Sequence, residues 1–310
     1  MGILKSAWRW IFGSSKPLIG IETFESVGLD DSKRLYPCTA LVIEKANALT
    51  HEQRVVEARF AYEIDSKLDA YIAQYRREFK NVLNTDDART LCAQYNRNMA
   101  VCSAAVQEPA SALVGEVYHK MLTETHPTNR VVFLAGGPGS GKTFVRSKLD
   151  AVGNLIANSQ IIYDTTFASE NAARKVVAAI NADEQVLITY IHRPFEQAVA
   201  GVIDRAVRSG RIVPLQVVAR SHFSAQRMLW EVQKRHSDAV SISVIANPGG
   251  ESEIRIEGID FLKERRYDDL AALEKQAHEI YQREHDRRKG TLGAIPAGID
   301  QALRGDFTKR

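Results

Sequence analysis

The stretch VVFLAGGPGSGKTF, residues 131–144, decides the fold of this chain. Five apolar residues lead into a glycine-rich turn and a Lys-Thr pair, which fills every position of the strand, phosphate-binding loop and helix pattern. In such a turn the backbone N–H groups converge on phosphate oxygens, and the helix opening at Lys142 adds the positive end of its dipole. Side chains would block that approach, hence the glycines. Gly136, Gly137, Pro138, Gly139, Ser140, Gly141, Lys142 and Thr143 are therefore the expected ATP-binding residues. Lys142 reaches the β and γ phosphates, and the Thr143 hydroxyl is the expected Mg2+ ligand.

Downstream of Lys142 the pattern alternates between strand and helix. SQIIYDTT gives a short apolar strand ending in Asp164, Ser169 can cap a following helix, VLITYI is a continuous apolar strand, and AVSISVIAN is a β-branched one. EIRIEGI can add an edge strand. Alternation of this kind predicts an α/β fold, a three-layer P-loop NTPase or kinase domain with a small, mostly parallel sheet. Upstream the signals are helical. Thr50 and Gln53 stand at capping-box spacing ahead of one long amphipathic helix to about Phe79; a second helix is predicted over 86–106 and a third over 109–122. His126, Pro127, Thr128 and Asn129 break the pattern. The expected organisation is an amphipathic segment at 1–20, a helical domain at 21–124, a P-loop kinase domain at 125–262, and a C-terminal helix and tail at 263–310. Charge-dense residues 263–289 read as a helix either packed on the sheet or extended into solvent.

A loop of this type serves kinases, motors and GTPases alike, so other residues must name the reaction. In VIDRAVRSGRIVP, Arg205, Arg208 and Arg211 recur every third residue, along one side of a helix. Guanidinium forks fit the equatorial oxygens of a transferring phosphoryl group, although a solvated basic face has the same spacing. Asp164 ends a strand beside the loop strand. There a carboxylate can orient a magnesium water or accept a hydroxyl proton, while the following Thr165 and Thr166 also suit a turn aspartate. Asp150, within the loop helix, reads as surface. His192, after a buried strand, reads as a structural histidine, and His222 is a candidate substrate contact.

The combination of GGPGSGKT, IIYDTT, a strand running into HRP, and DRAVRSGRIVP resembles the zeta toxin family of ATP-dependent kinases. The resemblance spans about residues 104–259, and its specific part is Gly210, Arg211 and Pro214 at this distance behind the strand. It implies transfer of the γ phosphate of ATP, with Mg2+, to a hydroxyl of a UDP-linked amino sugar, and a toxin or effector role. Arg211 takes the position of a lid arginine over the γ phosphate. With Lys142, Asp164 and Arg205 it completes the expected catalytic set, and Thr143 and Asp164 are the expected metal ligands. Zeta toxins carry a further strand, with the aspartate base, between the loop helix and the strand matching IIYDTT; here only SKLDAVGNLIANSQ lies there. Another nucleotide or sugar derivative therefore fits the acceptor role equally well.

Composition narrows the partners. With 45% hydrophobic and 25% charged residues and a net charge of +3, the 310-residue chain has the balance of a globular protein, and no nucleic-acid partner is expected. Three cysteines without a CxxC pair indicate neither a disulfide framework nor zinc, which fits a reducing, cytoplasmic compartment. Residues 2–12 form an aromatic-rich amphipathic pattern suited to peripheral membrane contact or to docking on protein. The rival to a kinase is an ATP-binding regulatory module whose helical part engages a partner or membrane. The family's antitoxin is a helical bundle, so an antitoxin, or restraint in cis by the N-terminal helices, is a further expectation from the resemblance.

Overall fold

The computed structural model describes residues 49–249, 254–291 and 293–305. The segment 2–12, and with it the expected membrane contact, lies outside the described residues. The chain divides into two compact units between Thr125 and His126.

The first unit contains α1 (His51–Ser66), α2 (Leu68–Phe79), the two-residue strand β1 (Val82–Leu83), and the short helices α3 (Thr85–Arg89), α4 (Ala93–Arg97) and α5 (Met99–Cys102), followed by α6 (Gln107–Leu122). The capping box at Thr50 and Gln53 is present with both of its hydrogen bonds. The single long helix expected from it is instead broken at Lys67. Ser66 Oγ donates to the Glu63 carbonyl at 3.2 Å, a back-bond of the kind that bends helices. The helix expected over 86–106 is likewise three short ones. Asn84, just ahead of the segment, caps α3 and Asn98, within it, caps α5, while Asn96 donates to the Thr90 carbonyl; the last two offer the backbone alternatives to a continuous helix. The third helix forms as read, starting at Gln107, with Pro109 in its first turn where no amide partner is needed. Phe60, Ile64, Tyr75, Leu113, Val117 and Tyr118 make the buried core.

The second unit opens with β2 (Arg130–Ala135), then α7 (Lys142–Lys148), α8 (Asp150–Ala157), β3 (Ile161–Asp164), α9 (Glu170–Asn181), β4 (Gln185–His192), α10 (Phe195–Ser209), α11 (Leu215–His236), β5 (Val240–Ala246), β6 (Arg255–Glu257), a 3-10 turn at Ile259–Arg265, α12 (Leu270–Thr291) and α13 (Ala297–Arg304). Its strands run in the order β3-β2-β4-β5-β6, parallel except for β6. Every β2 residue after Arg130 is buried, which is why the sequence shows a continuous apolar run rather than alternation. α7 covers Ile191 and Ile245 through Val145, and α9 and α11 pack together against β4 and β5.

The charge-dense segment neither lies on the sheet nor extends into solvent. α12 packs on α10 and α11: Leu273, Ala277, Ile280 and Tyr281 join Val199, Val202, Ile203, Ala206, Leu215 and Val218 in one cluster, which Leu303 of α13 closes. Its polar residues continue the contact, with Arg288 reaching Asp204 at 3.2 Å and Arg283 reaching Glu196 at 2.6 Å.

Burial on the central strand should dominate the stability of this unit. Ile188→Ala on β4, where the side chain is fully buried, is expected to cost about 2–5 kcal/mol in equilibrium denaturation. A change below about 1 kcal/mol would show that β4 is not part of a cooperative core.

Candidate active site

The glycine-rich loop lies at the carboxyl end of β2, and the ends of β3, β4 and β5 stand around it, as the open α/β architecture dictates for a ligand crevice. Register sets the neighbours. Leu134 pairs with Asp164 and Ala135 with Tyr190, so the last residue of β3 and a residue two before the end of β4 flank the start of the loop. At Gly139, φ is 77° and a Cβ would collide with the carbonyl of Ala198 in α10, so no side chain is tolerated.

Lys142, the first residue of α7, folds back so that Nζ donates to the Gly136 carbonyl at 2.6 Å. Its Nζ is 3.9 Å from Asp164 Oδ1. Burial holds the Lys142 ammonium below the ordinary lysine range; Asp164 opposes that shift, and Arg205 adds to it by like-charge repulsion. Lys142 and Asp164 are thus neighbours, and Arg205 is near enough for its charge to repel the ammonium. Arg205 Nε is buried without a partner, and burial also lowers its pKa. Thr143, next along α7, is exposed.

The three arginines do not share a helix face. Arg205 and Arg208 lie on α10, but Gly210 ends that helix in the left-handed region at φ 69°, and Arg211 stands in the following loop. Arg208 is exposed and engaged with Asp204 at 2.6 Å, and it is not among the groups that shift Lys142. Arg211 is partly buried, which lowers its pKa. The connection from α7 to β3 contains α8 and no strand.

His192 is buried with its ring edge-on to Phe261 at 5.6 Å between centroids, as a structural histidine would be. His222 is buried too, and its Nε2 lies 2.8 Å from the Pro138 carbonyl. Asn247 Nδ2 donates to the Ser140 carbonyl at 2.9 Å, and Arg193 to that of Gly139 at 3.1 Å. Nothing in the residue pattern singles out Asn247. The available signal is position, immediately after a strand two places from the loop strand. Among the described residues no cluster of three or more acidic, histidine or cysteine side chains could hold a metal alone. That suits Mg2+, which takes one or two protein oxygens and completes its shell with phosphate and water; Thr143 and Asp164 offer two.

Residues 155–257 match the Zeta toxin family. The matched segment takes in Asp164, Arg193, Arg205, Arg211, His222 and Asn247, and starts beyond the loop itself. It lies within the 104–259 stretch that carries the resemblance in sequence. A zeta toxin match on a P-loop fold fits a phosphotransferase. Among solved structures, the crystal structure of AvrRxo1-ORF1:AvrRxo1-ORF2 with sulphate ions is similar at 11% identity and a TM-score of 0.38, covering 60% of this chain and 83% of that one. The native AvrRxo1-ORF1:-ORF2 complex is similar at 12% identity and a TM-score of 0.34, covering 77% and 92%. No curated protein matches the chain. No described helix is long and apolar enough to cross a membrane.

Burial pulls both His192 and His222 down to about 4, with neighbouring positive groups adding to the shift. A histidine kept neutral in the folded state binds fewer protons there than in the unfolded chain, where it titrates near 6.5. Stability is therefore complete above about pH 6.5 and is lost as pH falls toward 4, by up to about 1.4 kcal/mol per pH unit per histidine. Denaturation measured between pH 7 and pH 4.5 should show this slope, and His192→Gln should flatten it. An unchanged slope would mean that His192 is charged when folded.

Proposed function

We propose that the second unit is an ATP-dependent kinase that transfers the γ-phosphoryl group to a hydroxyl of a small molecule. The observation that carries this reading is the Lys142 ammonium at the glycine-rich loop, 3.9 Å from Asp164 and within the electrostatic reach of Arg205. The loop amides from Gly136 to Gly141 hold the phosphate chain. Lys142 exchanges the Gly136 carbonyl for phosphate oxygens when the triphosphate enters. Arg205, whose Nε has no partner, and Arg211 neutralise charge that spreads over the equatorial oxygens as the phosphoryl group moves. Asp164 accepts the acceptor's proton or orients a metal water. Thr143 and Asp164 would hold Mg2+, which would supply charge neutralisation at the phosphates.

The zeta toxin resemblance supports a UDP-linked amino sugar as acceptor and a toxin or effector role restrained by an antitoxin. The α7 to β3 connection, which has α8 where zeta toxins carry a further strand and its aspartate, favours Asp164 as base and leaves room for another nucleotide or sugar derivative. The same observation favours a second reading, an ATP-binding module that does not transfer phosphate and acts through the helical unit.

Incubation with labelled ATP, Mg2+ and either UDP-amino sugars or a metabolite extract separates the two readings. Label on an organic acceptor is expected; label only in free phosphate, or none, favours the module. Lys142→Ala should abolish transfer. Arg205→Ala and Arg211→Ala should each cost about 10³-fold in rate while leaving ATP binding largely intact, and normal rates would remove either from the site. Asp164→Asn should abolish transfer to the acceptor, and wild-type transfer would return it to a turn residue.

A further inference from the structure

Three consecutive carbonyls of the loop, those of Pro138, Gly139 and Ser140, are each held by a side chain from a different part of the second unit. His222 comes from α11, Arg193 from the turn after β4, and Asn247 from the end of β5. The peptide plane makes this arrangement consequential. A carbonyl and the amide that follows it point in opposite directions, so fixing a carbonyl outward fixes the next N–H inward. Were one plane to flip, the loop would present an oxygen lone pair where an anion must sit.

The donor chemistry is determined at each contact. A carbonyl only accepts, so His222 must carry its proton on Nε2 and leave Nδ1 bare. Arg193 can only donate. Asn247 must present Nδ2, because the opposite amide orientation would set two acceptors face to face. The contacts are also sterically enforced. A Cβ on Gly137 would enter the His222 ring, and one on Gly141 would meet Asn247 Nδ2, so the two glycines give these side chains their room. His222 and Asn247 are 2% exposed, which removes water as a substitute donor.

We propose that His222 and Asn247 are positioning residues that turn the Gly139 and Gly141 amides inward, that Arg193 holds the intervening plane, whose Ser140 N–H bonds the Gly137 carbonyl at 3.2 Å within the loop, and that together they set the loop's affinity for a polyphosphate chain. This rests on the reading of residues 136–143 as a phosphate-binding loop. None of the three touches the transferring phosphoryl group; each acts through the peptide plane it holds.

The test uses the full chain and compares affinity for a non-hydrolysable ATP analogue with affinity for adenosine, which has no phosphate to engage the loop. His222→Leu and Asn247→Leu are expected to weaken the analogue about tenfold each with adenosine affinity unchanged. His222→Gln, which keeps a donor near Nε2, is expected to stay within about threefold of wild type. Arg193→Met alters a partly exposed position and carries the same test should a buried change unfold the unit. If the wild-type chain binds the analogue no better than adenosine, the phosphate-loop reading itself fails and this one with it. If the wild type discriminates and the variants discriminate equally, or if His222→Gln loses as much as His222→Leu, the positioning role alone is overturned.

Discussion

The architecture depends on one electrostatic constraint: a short turn must show an anion a concave row of N–H groups, and its carbonyls must then go elsewhere. Glycine at 139 permits the necessary backbone angle and the close approach of α10. The outward carbonyls cannot be left bare inside a protein, because an unsatisfied buried acceptor costs about 1–3 kcal/mol. They are met by His222, Arg193 and Asn247. Those donors come from α11 and from the ends of β4 and β5, so the loop's conformation is tied to the parallel register of the whole sheet. The Lys142 ammonium caps the remaining Gly136 carbonyl.

The same unit fixes its arginines from behind. α10 carries Arg205 and ends at Gly210, and its other side is sealed against α11, α12 and α13 by a continuous apolar cluster. Arg288 of α12 is itself buried and pairs with Asp204, the neighbour of Arg205. A buried arginine needs such a partner, and removing the partner leaves an uncompensated charge. The C-terminal helices therefore belong to the core that carries the candidate site, although they lie outside the segment matching the Zeta toxin family.

Much of this was legible in the sequence where local chemistry dominates. The β2, loop and α7 sequence, the Thr50 capping box, the strand ending at Asp164 and the edge strand after β5 follow from periodicity and turn chemistry. Legibility failed where packing or side-chain to backbone bonds override the period. Residues 86–106 show helical spacing, yet Asn96 and Asn98 divide the segment. The threefold spacing of Arg205, Arg208 and Arg211 suggested one face until Gly210 ended the helix between them. The polar surface of α12 gave no hint that its apolar stripe meets helices rather than the sheet. Asn247 and the loop-facing role of His222 depend on partners about a hundred residues away, which no local pattern encodes.

The most direct test of the account is a crystal structure of the chain with a non-hydrolysable ATP analogue and Mg2+. The account predicts phosphate oxygens against the amides of residues 136–141, with Lys142 Nζ moved from the Gly136 carbonyl to the phosphates and the Pro138, Gly139 and Ser140 carbonyls unmoved. An analogue bound elsewhere, with Lys142 still on Gly136, would contradict it.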